Sequence, residues 1–263
     1  MNKRSFLLGL SIIAAVLLPF LPLLLWSVSN QWFYPALLPQ QFGLRSWQYI
    51  LSTAGQQITE GLVQSTSLAL VTTCCSLTVA LPAARALGLY CFPGKKAIGL
   101  FLLLPIIVPP LCVSMGYHLW FIRLGLAETF AGVVMAHLTF CLPYTIFVLW
   151  GVFTDYDPDF EHQARSLGAS PIQVLVNVTL PMILPGICIA ALFSFLLSWS
   201  QYLSTLIIGG GRLLTLPILL FALMDSGDRP VAAAVSLVFV LPALFALLVN
   251  AHFLGRQGMT GVR

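Results

Sequence analysis

Three aspartates at alternate positions, Asp155, Asp157 and Asp159, form the densest group of metal-ligand candidates in the chain. They match the first, third and fifth ligands of a calcium loop, whose oxygen donors suit that hard cation. Such a loop also needs glycine at its sixth position and glutamate at its twelfth. Those positions carry Phe160 and Ser166, which disfavours calcium. Six cysteines, Cys74, Cys75, Cys91, Cys112, Cys141 and Cys188, lack metal-ligand spacing, and five lie inside long apolar runs. They read as small packing residues, not as ligands or a disulfide framework. No metal site is expected. His118 and His137 are the obvious titratable groups within apolar runs. They are the candidates an intramembrane enzyme would use, although a hydrogen-bonded packing histidine, neutral at pH 7, is the simpler reading. No phosphate loop G-x-x-x-x-G-K-[ST] occurs; Gly94-Lys95-Lys96 and the Gly209–Gly211 run do not fit it. G-x-S-x-G and H-E-x-x-H are also missing. The chain is therefore not expected to hydrolyse ATP or to be an enzyme.

The elements that carry these residues are set by composition. Of 263 residues, 59% are hydrophobic and 8% are charged, with mean hydropathy +0.97. Soluble domains carry roughly 25% charged and roughly 45–50% apolar residues. A soluble enzyme or binding protein is excluded, and so is intrinsic disorder. The net charge is +4, from 12 Lys+Arg against 8 Asp+Glu. These cations are too scattered to form a phosphate-binding stripe, so the expected surroundings are lipid bilayer and not nucleic acid.

A helix needs about 20 apolar residues to cross ~30 Å of hydrocarbon. Six charge-free intervals reach that length: 5–44, 61–84, 97–122, 129–154, 166–211 and 230–255. They place spans near 6–29, 62–88, 97–120, 130–153, 183–208 and 231–253. The alternation of barrel strands is missing, which favours helices. The fold class is thus an all-α membrane protein of six transmembrane helices in one domain, 1–263. An even count puts both termini on one side. With the N-terminus inside, the inner basic residues are Lys3, Arg4, Arg85, Lys95, Lys96, Arg165, Arg256 and Arg263, and the outer ones are Arg45, Arg123, Arg212 and Arg229. That excess predicts a multi-pass protein of the cytoplasmic membrane with both termini cytoplasmic. The apolar run from Phe6 to Val28 is too long for a secretory signal of roughly 7–15 apolar residues, so a retained helix is expected. Trp26, Trp32, Phe33 and Tyr34 suit an interfacial aromatic belt at its outer end. A short helix is expected around Arg45 to Leu51. Prolines are dense in the spans, mostly as kinks. Pro109-Pro110 removes two adjacent donors, and a broken third helix is expected there as a wall of a translocation path.

The segment 154–181 carries strong helix punctuation. Asp157-Pro158 reads as a cap followed by proline at the first helical position, with Asp159 and Glu161 at the positive end of the dipole. Gly168 reads as a left-handed stop. Ser170-Pro171-Ile172-Gln173 then reads as a capping box. Ile172, Leu175, Val176 and Thr179 recur at helical spacing up to an expected end near Leu180-Pro181. Two short helices with a tight turn, on the cytoplasmic face, suit a docking knob for a partner.

These residues resemble the EAA loop of permease subunits of binding-protein-dependent ABC importers. That pattern, E-A-A, three residues, G, about ten residues, L-P, falls on His162-Gln163-Ala164, Gly168-Ala169 and Leu180-Pro181. His162 and Gln163 replace the usual Glu and Ala, and Glu161 stands one position earlier as a substitute charge. Leu81-Pro82-Ala83-Ala84-Arg85, Phe92-Pro93-Gly94-Lys95-Lys96, Leu103 to Pro110, Ser198 to Tyr202 and Thr215-Leu216-Pro217 are similar to other family segments. The likeness is nearest to the polyamine, iron(III), thiamine and sulfate branch. It implies a type I importer permease fold with a coupling loop at 154–181. It also implies ATPase subunits that bind ATP and Mg, a second permease, an extracytoplasmic solute-binding protein, and a substrate such as a polyamine or another small solute. It assigns Glu161, His162, Gln163, Ala164, Gly168, Ala169, Leu180 and Pro181 to ATPase coupling.

A secondary transporter or channel is the competing class. Such proteins usually carry charges within their spans, and the six expected spans hold no acid. In the fifth, Ser198, Ser200, Gln201 and Ser204 form an expected polar strip. It either lines a solute path with Pro109 and Pro110 or bonds across helices. The topology predicts cytoplasmic signals from reporter fusions after Gly94 and Gly168, and an external signal near Gly55. An external signal at Gly168 would overturn both the topology and the docking role.

Overall fold

The computed structural model describes residues 9, 11, 14, 15, 17–33, 35–52 and 55–260, with side chains to 255. Among these, the chain order is helix α1 (Phe20–Ser27), strands β1 (Ser29–Gln31) and β2 (Gln41–Phe42), then α2 (Arg45–Leu51) and α3 (Gln56–Leu89). Next come α4 (Lys95–Ile107), α5 (Pro110–Arg123), α6 (Phe130–Thr154) and α7 (Asp159–Ser166). The last four are α8 (Pro171–Trp199), α9 (Leu203–Gly209), α10 (Leu216–Asp225) and α11 (Arg229–Thr260).

Among the described residues, four helices are long and apolar enough to cross a membrane: α3, α6, α8 and α11 over Arg229–Gly255. The pair α4 and α5 makes a fifth if counted as one span, bent by 100°. Val108 and Pro109 are extended at this break, since a residue before proline avoids the helical region. The break expected at Pro109-Pro110 is therefore present. Residues 6–8, 10, 12, 13 and 16 of the first expected span, 6–29, and Lys3, Arg4, Tyr34 and Arg263 lie outside the described residues.

Two expectations need correction. The span expected over 183–208 is not one helix: α8 ends at Trp199 and α9 starts at Leu203. The helix expected to end near Leu180-Pro181 instead runs into the span, through a π-helical turn at Leu175–Thr179. The wider turn lies where the ring of Pro181 would otherwise press on the carbonyl four residues back. A short antiparallel pair, β1–β2, with Ser29 buried and Phe42 exposed, accompanies the otherwise helical described residues.

The described residues form two compact units. One joins Met1–Val63 to Leu214–Pro242, and the other joins Gln64–Leu213 to Ala243–Arg263. In the second, α3, α6 and α8 pack around Ala80, Ala84, Leu87, Ile146, Leu149, Phe153, Ile183 and Ala190. Small residues bring these backbones close, the usual device where lipid gives helices no hydrophobic reason to associate. A Cβ on Gly186 would meet Val152 at 2.4 Å, and one on Gly88 would meet Phe153 Cβ at 2.4 Å and its carbonyl carbon at 2.9 Å. Ser76 and Thr145 add a buried hydroxyl pair at 2.8 Å.

The Gly88 contact involves backbone as well as side chain, so rotamer changes cannot relieve it. Gly88→Ala is expected to cost ~1–3 kcal/mol by overpacking. Thermal unfolding of the purified chain in detergent checks this; Gly116→Ala, where a Cβ meets nothing within 4 Å, is the control.

Candidate functional site

Helix α7 begins beside Asp157, whose Oδ1 accepts from Asp159 N at 2.9 Å. At its far end Gly168 adopts φ +86°, and its N–H reaches Arg165 O at 2.9 Å. Ala169 N follows to Ala164 O at 3.1 Å. Ser170 then caps α8 in a reciprocal capping box: Ser170 N donates to Gln173 Oε1 at 2.8 Å and Gln173 N to Ser170 Oγ at 3.3 Å. These local bonds hold α7 and the start of α8 as a compact hairpin.

The hairpin is anchored by one carboxylate. Glu161 is buried and accepts a two-pronged bond from Arg85 of α3, Nη1 to Oε1 at 2.8 Å and Nη2 to Oε2 at 2.7 Å. Tyr156 OH donates to Oε1 at 3.1 Å, and Thr179 Oγ1 donates to the same oxygen at 2.8 Å. Arg165 lies 3.7 Å from Oε2. The Arg85 hydrogen bonds are the main reason that the Glu161 carboxyl falls from its ordinary 4.5 to about 2. Burial opposes the shift, while Thr179, the Arg85 charge and Tyr156 add to it. Glu161 therefore does not offer its charge outward, contrary to the substitute role expected for it. A helix turns about 100° per residue, so the neighbouring position faces elsewhere. His162 and Gln163 are exposed, as are Leu167 at the tip and Ile172, Leu175 and Val176 on the first turns of α8. Leu167 is 89% and Ile172 73% accessible. Ala164, Ala169 and Leu180 are half-buried and Pro181 is exposed.

Arg85, Tyr156 and Thr179 escaped the sequence reading as partners of Glu161. Arg85 carried the one available signal: a guanidinium at the end of an apolar span requires an anion or water.

The path candidates are brought together in part. Ser198 Oγ meets His137 Nδ1 at 2.8 Å, and His137 Nε2 meets Thr205 Oγ1 at 2.8 Å. Thr205 Oγ1 also donates to Gln201 O at 3.1 Å, and Ser204 Oγ to Gln201 Oε1 at 3.0 Å. Ser198, Ser204, Thr205 and His137 are buried, Gln201 is half-buried and Ser200 is exposed. The expected strip on a continuous helix is thus a cluster wrapped around the α8–α9 break. His137 is a hydrogen-bonded packing residue, whereas His118 Nδ1 is buried without a partner. Pro109 and Pro110 are exposed. Tyr117 and Phe121 of α5 pack with Ile207 and Ile208 of α9. No group of three or more His, Cys, Asp or Glu able to hold a metal occurs among the described residues.

Comparison with known proteins gives a consistent picture. Residues 70–257 match the family model described as "Binding-protein-dependent transport system inner membrane component". The chain is 28% identical over 174 residues to the spermidine/putrescine transport system permease protein PotC of Haemophilus influenzae, covering 66% of this chain and 67% of that one. It is 28% identical over 202 residues to the trehalose transport system permease protein SugB of Mycobacterium tuberculosis, covering 74% and 73%. Its fold resembles that in the crystal structure of a bacterial ABC transporter involved in the import of the acidic polysaccharide alginate, with TM-score 0.71, 19% identity and 95% of both chains covered.

The Glu161 geometry predicts a pH signature. A carboxylate held near 2 stabilises the fold fully above its unfolded value of about 4.5, and that contribution is lost as pH falls from 4.5 towards 2. Glu161→Gln should remove this acid-side dependence and cost ~2–4 kcal/mol at neutral pH by stranding Arg85. Unfolding midpoints of both proteins between pH 7 and 3 check it; parallel curves would contradict the assignment.

Proposed function

We propose a division of labour along this chain from one premise: the chain belongs to the family of inner membrane components of binding-protein-dependent transport systems. It is the permease subunit of an importer of the ABC class, a multi-pass membrane protein with the type I permease fold, and not an enzyme. In the proposed reading, the hairpin of α7 and the start of α8 faces the cytoplasm and receives a separate ATPase subunit, which binds ATP and Mg. Both termini lie on that side. A second permease completes the path, with the broken span at Pro109-Pro110 and the break at Ser200–Tyr202 lining it. The solute is a small molecule handed over by the binding protein, and the relatives' names, spanning a polyamine and a disaccharide system, leave its class open.

The observation that carries the coupling role is the Glu161 anchor. A docking element transmits force only if it does not swing freely. The bonds from Arg85 and Thr179 tie the hairpin to α3 and to the base of α8, so displacement of α7 pulls on two spans. Outside that anchor, Leu167, Ile172 and Val176 leave apolar surface uncovered. Burial of each such side chain in a contact contributes roughly 1.5–3 kcal/mol.

Leu167→Asp tests this without touching the anchor. It is expected to lower recovery of the ATPase with the purified permease at least about tenfold, while membrane insertion and the thermal stability of the chain stay normal. Normal ATPase recovery and normal uptake would overturn the docking assignment.

A further inference from the structure

Within the unit of Met1–Val63 and Leu214–Pro242, a polar cavity of about 580 Å³ adjoins an apolar groove of about 300 Å³. The two share Trp26 and Arg229 in their walls. Asn30, Gln31 and Arg45 contribute polar wall on the cavity side, whereas Leu23, Ala233 and Ser236 line the groove.

The charges in the cavity do not cancel. Arg45 Nη2 contacts Asp228 Oδ2 at 2.5 Å, and Asp228 Oδ1 accepts from Val231 N at 3.4 Å, so that carboxylate is already engaged. Arg229 is exposed, with its guanidinium carbon 5.7 Å from the centre of the Trp26 ring. No carboxylate lies within ion-pair distance of it among the described residues. Two arginines against one aspartate leave a net positive wall. Trp26 stacks on Trp32 at 4.5 Å, which fixes the ring at the junction of cavity and groove. An indole with one apolar face and one polar edge suits the membrane–water boundary.

A free anion would use the cavity alone, and an apolar segment would use the groove alone. A molecule with a phosphate head and an alkyl chain uses both. We infer that this compartment binds a phospholipid of net negative charge. Its phosphate sits at Arg229, whose planar fork suits phosphate oxygens, and one acyl chain lies along Leu23, Ala233 and Ser236. The site is on the side of the bilayer that carries the 28–52 loop.

The test is native mass spectrometry of the full chain with its partner subunits, titrated with phosphatidylglycerol or phosphatidylcholine. Wild type should retain phosphatidylglycerol in preference to phosphatidylcholine. Arg229→Gln should weaken phosphatidylglycerol binding about tenfold and abolish its preference over phosphatidylcholine. Ser236→Leu, which narrows the groove without altering charge, should weaken it as well. Arg212→Gln, at an exposed ion pair elsewhere, should have no effect. The inference fails if Arg229→Gln changes nothing or if Arg212→Gln weakens binding equally. It fails in favour of a free-phosphate site if Ser236→Leu is silent and inorganic phosphate displaces the lipid. It also fails if Arg229→Gln releases a partner subunit while lipid retention is intact, since the compartment would then be that subunit's seat.

Discussion

A carboxylate removed from water must be given donors in place of the water it has lost, or it takes up a proton. Glu161 is given them by three parts of the chain: Arg85 at the end of α3, Tyr156 before α7 and Thr179 in the π-helical turn of α8. Arg85 contributes most, and Thr179 and Tyr156 complete the set of donors. Arg85 alone would leave the shared Oε1 short of partners, and Thr179 alone would not offset burial of a charge. The geometry of the hairpin follows from that requirement. The π turn sets Thr179 at hydrogen-bonding distance from Glu161, and the continuous helix that results carries the anchor into the span.

The same rule acts in the apolar part of the second unit with neutral groups. A helix can be interrupted at membrane depth only where the freed polar groups find partners in the protein. Between α8 and α9 the interruption is bridged by His137, which bonds Ser198 on one side and Thr205 on the other. Ser204 and Thr205 then hold Gln201 at its side chain and its carbonyl. Four hydroxyl and imidazole groups, which a hydropathy reading counts as solute-lining polarity, are largely consumed in holding the break. What they leave accessible is Ser200 and part of Gln201.

How much of this could be read from the sequence depended on the distance between interacting residues. The capping box at Ser170 and Gln173, the left-handed Gly168 and the break at Pro109-Pro110 are set by residues within four positions of one another, and each was legible. The limits of α6 were legible because charges mark where apolar helices meet water, whereas α3 starts at Gln56, ahead of the expected 62, and α11 runs past the expected 253. The Arg85–Glu161 pair joins residues 76 positions apart, and nothing in local spacing connects them. The break after Trp199 contains neither proline nor glycine, and the residue that bridges it, His137, is 61 residues from Ser198. The continuation of α8 through Pro181 was missed because a proline ordinarily ends a helix, and a π turn that absorbs it has no composition of its own.

The departure of the loop from its family pattern also acquires a physical meaning. The acid stands one position early, and on a helix one position is a rotation of about 100°. That rotation turns Glu161 into the protein, and His162 takes the exposed neighbouring position. The exposed surface of the hairpin therefore presents His162, Gln163 and a tip built around Leu167, with no carboxylate supplied by Glu161. In the coupling reading, Leu167, Ile172 and Val176 supply apolar burial, which salt screens little, beside the exposed charges of Asp159 and Arg165, for which an exposed ion pair is worth about 0–1 kcal/mol. The buried acid acts on the other side of the hairpin, where its Arg85 pair ties α7 to α3.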